Sequence, residues 1–460
     1  MPSKVLAEID RAMPESLERL FKLMRIQSIS TDPAYAKECR KAADWLAKDL
    51  TSMGFTASVR STSGHPVVVG HHDGEGPHVL FYGHYDVQPV DPLNLWDDEP
   101  FAAKLRTRED GSKEIFGRGS ADDKGQLMTF LEACRAYKKV QGRLPCRVTV
   151  MLEGEEESGS PSLKPFLQSN AKELKADIAL VCDTNMLDRD TPAICTSLRG
   201  LMEEEITIKA ASRDLHSGYY GGAAANPIQI LTKILADFRD GNGRITIPDF
   251  YENVEETPPH IMKMWVGLGR TKEKVLGEVG LSELAGEKGR SLLELVWARP
   301  TLEINGINGG YTGEGFKTVI PSIASAKISC RLVHKQDPDK IRTAFRKFVS
   351  ERIPSDCSVS FHDHGGAPAA QLPFDLPMLL KARDALTAEW PNPAVLVGGG
   401  GSIPVVGDFK NMLGMDSVLV GFGLADDKIH SPNEKYELTS FHKGARSWAR
   451  ILAALGESAS

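Results

Sequence analysis

At 460 residues the chain exceeds the ~100–200 residues of one ordinary domain, so it divides into two or three domains or carries a large insertion. Hydrophobic residues at 41% and charged residues at 25% supply a full core and exclude disorder as the main state. A formal net charge of -7 with no basic block excludes nucleic-acid binding through phosphate contacts and points to a small substrate.

The first twenty residues carry acids throughout, and nowhere do ~18 apolar residues run together, which predicts a soluble, cytoplasmic protein without a membrane partner. Seven cysteines are scattered singly with no C-x-x-C pair, as expected of small buried side chains in a reducing compartment. Residues 14 to 54 alternate apolar and charged positions at helical spacing and stop at Gly54, predicting a helical N-terminal region. Short apolar runs follow, each ending in a polar cluster: Val79 to Tyr82, Val148 to Leu152, and Ile178 to Val181. With a helix over 124–139 between them, they predict buried strands of an α/β sheet with helices on both faces.

The pattern changes near residue 197. A half-exposed strand around 206–210, a helix over 226–239, strands near 301–304 and 323–333, a helix over 337–352 and a strand over 357–363 give a βαββαβ order. That is the order of an inserted ferredoxin-like α+β domain. Residues 241–300 are not placed by this pattern, and the first type of pattern resumes after about 373. The expected division is residues 1–196 and 373–460 as one domain, and 197–372 as the insertion.

Five clusters carry the chemistry. His84 and Asp86 form a strand-end H-x-D, in which one ring nitrogen can bind a metal while the aspartate orients the other; a turn histidine beside a solvated aspartate is the alternative. In GRGSADDKG (117–125) the two acids would repel phosphate, so a cation site fits better than a phosphate loop, with a helix N-cap as the alternative. Glu153, Glu155, Glu156 and Glu157 crowd together after a strand, an arrangement that needs solvation or a cation. Adjacent Glu156 and Glu157 suit a general base and a metal ligand. Asp183 and His430 complete a set that falls after the carboxyl ends of separate strands, where open α/β sheets place their sites. Mixed N and O donors suit two Zn2+ or Mn2+ ions with a shared carboxylate.

These residues, with the motifs GHYDVQP, GRGSADDKG, EGEEESGS, DLHSG, KTVIP, GGSIP and HSPNE in order along the chain, resemble the co-catalytic zinc metallopeptidases. That family includes carnosine dipeptidase, glutamate carboxypeptidase, aminoacylase and succinyl-diaminopimelate desuccinylase, and the match is closest to its dipeptidase branch. The resemblance implies a zinc-peptidase-like catalytic sheet and a lid and dimerisation function for the insertion. It implies two divalent ions per subunit, Zn2+ first and Mn2+ or Co2+ as alternatives. His84 and Asp183 would bind one ion and Glu157 and His430 the other, with Asp122 bridging through a cis peptide to Asp123. Glu156 would be the general base and Asp86 the partner of His84.

Substrate would be held by His216 and Thr318, both acting in trans in a homodimer, and by Arg331 and Ser402 at the peptide's C-terminal carboxylate. The implied activity is hydrolysis of the peptide bond of short peptides by hydroxide activated at the metals. An N-acyl-amino-acid deacylase or desuccinylase is the alternative, and a non-catalytic metal-binding homologue a further one. Arg331 is also expected on the polar face of its strand, opposite Ala324 to Leu332, where its guanidinium can fork a carboxylate. Aspartate rather than glutamate at 183 is associated in the family with dipeptidase and aminopeptidase-type members and weighs against a carboxypeptidase. Val-Gly-Gly-Gly-Gly precedes Ser402 where many relatives carry an Arg-Glu pair before Gly-Gly-Ser, and the glycines at 398–401 would let the backbone approach a ligand. His71 and His72 match no ligand position and read as surface residues.

Overall fold

The structure, a computed structural model, describes residues 2–401 and 403–457. The described residues fall into two compact units, 2–196 with Leu372–Val397 and 408–457, and Ser197–Gln371 with 398–401 and 403–407. Residues 398–407, assigned by sequence to the first domain, thus group with the second. The reason is local: Gly398 lies so close to Trp297 that a Cβ there would meet the indole's Cβ at 2.5 Å. Arg199 adds hydrogen bonds to the carbonyls of Gly400 at 3.0 Å and, from its backbone, Gly401 at 3.1 Å.

The first unit is built on a nine-stranded sheet that includes β1 (Thr56–Arg60), β2 (Val67–His72), β3 (His78–His84), β4 (Arg147–Glu153), β5 (Ile178–Val181), β6 (Ala193–Leu198) and β7 (Ser417–Val420), with the short strands Ala370–Gln371 and Val395–Gly399 both pairing with β6. Their spatial order is β1-β2-β4-β3-β5-β7-β6. The central strands β4, β3, β5 and β7 run parallel. Both faces of these strands are covered, which is why they read as continuous apolar runs. On one face Phe81 of β3 stacks on Phe130 at 3.8 Å and meets Trp448 edge-on at 5.8 Å. On the other, Tyr82 meets Phe409 edge-on.

Five helices concern the argument: α1 (Ser3–Arg11), α2 (Met13–Met24), α3 (Ala36–Ser52), α4 (Lys124–Gln141) and α5 (Leu438–Gly456). The helical region expected over 14–54 is therefore interrupted, since residues 25–35 form a turn in which Asp32 caps a short 3-10 segment starting at Pro33. α4 is buried on nearly all sides over its first turns and ends at left-handed Gly142. No helix among the described residues is long and apolar enough to cross a membrane. None of the seven cysteines forms a disulfide, and all but half-exposed Cys357 are buried.

His72 is not a surface residue, and His71 is only partly one. They lie on β2, whose two faces are both covered, so His72 is buried with its ring edge-on to Phe55 at 5.1 Å. His71, half-buried, bridges Thr149 and Glu173 through its two ring nitrogens, each at 2.9 Å.

The second unit has four long antiparallel strands, Gly200–Lys209, Thr301–Gly309, Ile323–Leu332 and Ser358–Ala367. Numbered along the chain, they stand in the order 2-3-1-4, and helices Pro227–Asp237 and Pro338–Ser350 cover one face, a ferredoxin-like arrangement. Ala324, Ala326, Ile328, Cys330 and Leu332 enter its core with Ile206, Ile234 and Phe345. Alternation places Arg331 on the opposite face. Residues 241–300, unplaced by sequence, hold two short helices, Pro259–Gly267 and Lys272–Gly277, and a π-helical turn at Glu294–Ala298.

Candidate metal centre

Register brings the carboxyl ends of β3, β4 and β5 level: Tyr82 pairs with Met151 and with Val181, and His84 with Glu153. The chain leaves these three ends as His84-Tyr85-Asp86, as Gly154 to Glu157 and as Cys182-Asp183, so the candidate ligands emerge side by side. The loop before α4 adds Asp122, and the loop after β7 adds His430. His84, Asp122 and Asp183 form one group in which donor atoms lie within 4.8 Å of one another, and Asp122, Glu157 and His430 form a second. Asp122 belongs to both. Its Oδ1 lies 3.0 Å from Nε2 of His84 and its Oδ2 2.9 Å from Nε2 of His430, which is also 3.1 Å from Glu157.

Carboxylates from neighbouring loops fix this arrangement by accepting backbone N–H groups. Asp86 takes the N–H of Glu156 at 3.3 Å and of Glu157 at 3.0 Å on separate oxygens. Nδ1 of His84 lies 3.1 Å from the Asp86 carbonyl and 3.3 Å from its carboxylate, which leaves Nε2 facing the cluster. Asp123 follows Asp122 through a cis peptide and heads α4 without capping it. Its Oδ2 instead accepts the N–H of His84 at 3.0 Å, so the N-cap alternative does not hold. Gly83 permits this approach, because a Cβ there would meet that oxygen at 2.8 Å.

Sequence reasoning did not single out Gln88, whose amide donates to Glu157 at 2.7 Å, or Glu434, whose carboxylate accepts the N–H groups of Ala121 and Asp122. Both stand inside quoted motifs, GHYDVQP and HSPNE, and that was the available signal.

The electrostatics of the cluster call for positive charge. Burial pushes the Glu156 carboxyl up to about 8; His84 opposes this, and Asp183, Glu157 and Asp122 add to it. Burial and the charge of Asp122 likewise push Asp183 up to about 6. Burial works against ionisation of Asp122, yet the hydrogen bonds to His430 and His84 outweigh it and hold its carboxyl well below the usual range. Hydrogen bonds to Asp122 and Glu157 push His430 up to about 10. Divalent ions would supply that positive charge, and imidazole with carboxylate donors is a set they accept. The residues fit such ions.

Of the substrate residues expected from sequence, His216, Thr318 and Arg331 belong to the second unit. His216 and Thr318 are brought together: Leu215–His216 pairs antiparallel with Val319–Ile320, and the Ser217 N–H donates to the Thr318 carbonyl at 3.1 Å. Both are exposed. Arg331 is half-buried, and Ser402 lies outside the described residues. The glycines at 398–401 find a structural reason at Gly398, through Trp297, and none at Gly401, where nothing lies within 4 Å of a Cβ.

Residues 80–454 match the family model described as Peptidase family M20/M25/M40. The chain is 30% identical over 463 residues to a Cys-Gly metallodipeptidase, dug1, of Schizosaccharomyces pombe, covering 96% of each chain. Among solved structures it resembles the di-peptidase Dug1p of Saccharomyces cerevisiae at a TM-score of 0.79 and 27% identity, covering 100% of this chain and 99% of that one. It also resembles the metallo-carboxypeptidase Sso-CP2 of Sulfolobus solfataricus at a TM-score of 0.82 and 28% identity, covering 96% and 99%. With the family model spanning most of its length and two ligand groups sharing one carboxylate, the chain belongs to peptidase family M20/M25/M40.

Proposed function

We propose that this protein is a metal-dependent dipeptidase that hydrolyses short peptides bearing a free C-terminal carboxylate. The observation that carries the reading is the pair of ligand groups joined at Asp122, with Glu156 in the same field of charge. His84 and Asp183 would hold one divalent ion and Glu157 and His430 the other, with Asp122 shared and Zn2+ the first choice before Mn2+ or Co2+. Such ions would lower the pKa of a water towards neutrality and polarise the scissile carbonyl.

Glu156 takes the proton of the attacking water onto its carboxylate and returns it to the leaving nitrogen, so the amine departs neutral. Asp86 holds His84 in the tautomer that leaves Nε2 free for a metal. His216 is suited to donate to the developing oxyanion: the Gly218 N–H donates to its Nδ1 at 3.0 Å, so the ring proton sits on Nε2. Thr318 stands beside it. Arg331 forks the terminal carboxylate, with Ser402 as the expected second contact. Exposed Ile304, Ile307, Tyr311 and Phe316 on the second unit support a homodimer in which His216 and Thr318 reach the partner's site. Seven cysteines, none of them in a disulfide, support a cytoplasmic setting.

The test is a substrate panel on chelated protein reconstituted with Zn2+, Mn2+ or Co2+ singly. Cys-Gly comes first, because relatives carry that name, followed by other dipeptides, longer peptides and N-acetyl and N-succinyl amino acids. Turnover of dipeptides supports the reading. Turnover of N-acyl amino acids alone selects a deacylase, C-terminal trimming of longer peptides a carboxypeptidase, and no turnover under any metal a non-catalytic homologue.

A further inference from the structure

Glu434 closes the first unit's metal-ligand loops from below. Its side chain is fully buried, and each oxygen accepts two hydrogen bonds. Oε1 takes the backbone N–H of Ala121 at 2.9 Å and of Asp122 at 3.1 Å. Oε2 takes the N–H of Gly119 at 3.0 Å and Nη1 of Arg118 at 2.7 Å. The Glu434 carbonyl also accepts the N–H of Gly117 at 3.1 Å. Arg118 is equally buried, and its Nη2 continues to the Pro89 carbonyl at 3.0 Å, on the segment that follows His84 and Asp86. One carboxylate thereby ties the His430 loop to the whole Asp122 loop and, through one guanidinium, to the loop after β3.

The His430 loop needs such an anchor. Lys428, His430 and Asn433 stand at φ 56°, 62° and 66°, the left-handed region that residues other than glycine adopt only when their surroundings impose it. A fully buried ion pair is weak evidence for net stability, because desolvation opposes the Coulombic gain, so its presence under the ligand loops needs another reason.

We propose that Glu434, paired with Arg118, is a positioning residue that presets the distance between Asp122 and His430, and with it ion affinity and turnover. The proposal rests on the reading of Asp122 and His430 as metal ligands. Glutamine at 434 would keep the size of the side chain but turn an NH2 towards groups that are all donors, so at least one backbone N–H or the guanidinium would lose its acceptor.

The test uses the holoenzyme and compares Glu434→Gln with His430→Ala. Zn2+ titration by calorimetry should show Glu434→Gln weakening ion affinity by about 10- to 100-fold, the usual effect of losing a group that orients a ligand. With ions in excess, kcat per folded subunit, the folded fraction being fixed by circular dichroism and unfolding midpoints, should fall while KM stays within about twofold. Wild-type ion affinity and kcat in Glu434→Gln, where His430→Ala has lost an ion, would overturn the positioning role and leave the ligand reading standing. Retention of both ions by His430→Ala would overturn both. Should Glu434→Gln not fold, native-state hydrogen exchange on the unaltered holoenzyme decides. The amides of Gly119, Ala121 and Asp122 should exchange as slowly as those of α4, and exchange as fast as in the exposed loop 312–316 would overturn the proposal.

Discussion

Asp122 and His430 lie 308 residues apart in the chain and meet at 2.9 Å, Oδ2 to Nε2. The other Asp122 oxygen faces His84, so one carboxylate serves two imidazoles from opposite ends of the first unit. The two positions should therefore fail differently. We expect His430→Ala to lose one ion and keep the other near wild-type affinity, because His84 and Asp183 still define a group with Asp122. Asp122→Asn should weaken both ions, by more than about 100-fold, since removing a ligand exceeds the effect of removing an outer partner. Metal content after dialysis against graded chelator reads the difference, and equal behaviour of the two variants would count against a bridging Asp122.

Glu156 stands apart from its neighbour Glu157. The Glu157 carboxylate lies 3.1 Å from His430 and accepts from Gln88 at 2.7 Å, whereas Glu156 shares the field of the cluster without belonging to either ligand group. Glu156→Gln should thus keep both ions while kcat falls by about 10²- to 10⁴-fold, the range for a lost general acid–base. Loss of an ion in that variant would make Glu156 a ligand instead.

How far the sequence could be read follows from what each signal needs. His84, Glu157 and Asp183 were legible because each comes directly after an apolar run that only a buried parallel strand explains, and the sheet register then brings the three ends level. The second unit's order was legible from alternation, as the burial of Ala324 to Leu332 on one face illustrates. Contacts such as Glu434 to Ala121, 313 residues apart, leave no local pattern. His72 misled because a histidine pair looks hydrophilic, while β2 is covered on both faces and buries it. The break at 25–35 was hidden because apolar periodicity continues on either side of it in two separate helices, α2 packed against α4 and α3 against β1 and β2.

The same β2 gives a pH dependence. Hydrogen bonds from Arg60 lower the Glu173 carboxyl, partial burial opposes them, and His71 adds to the lowering. A carboxyl depressed in the folded state contributes stability that is present above its unfolded value of about 4.3 and is lost as pH falls through the folded value. Chemical unfolding midpoints should therefore fall more steeply below about pH 4.3 in the wild type than in Glu173→Gln. The difference should be small, since the Glu173 side chain is 35% exposed and water screens the pair. Parallel acid limbs would show that the contact contributes nothing.

Arg331 offers a test of the substrate's free carboxylate that is independent of the metals. A charge-assisted fork contributes about 1.5–3 kcal/mol, so Arg331→Ala should raise KM for dipeptides roughly tenfold to 100-fold. The same dipeptides with an amidated C-terminus should be poor substrates of the wild type and should respond little to the substitution. Equal sensitivity of the acid and amide forms would place the arginine elsewhere in the mechanism.

His216 tests assembly. Gly218 fixes its ring as a donor through Nε2, and Tyr219 packs beside the ring at 4.6 Å, yet the residue is exposed and lies in the second unit while the ligand groups lie in the first. If His216 serves the partner's site, His216→Ala and Glu156→Gln homodimers should each be inactive. A mixed dimer then contains one complete site, made of Glu156 from the first variant and His216 from the second. Random exchange at equal concentrations makes about half the dimers mixed, so about a quarter of wild-type activity should return. If His216 serves its own chain, every site in the mixed dimer lacks one group, and no activity returns once mixed dimers are verified by differential tagging. Recovery well above about a quarter would require more than one competent site per mixed dimer, which neither arrangement provides.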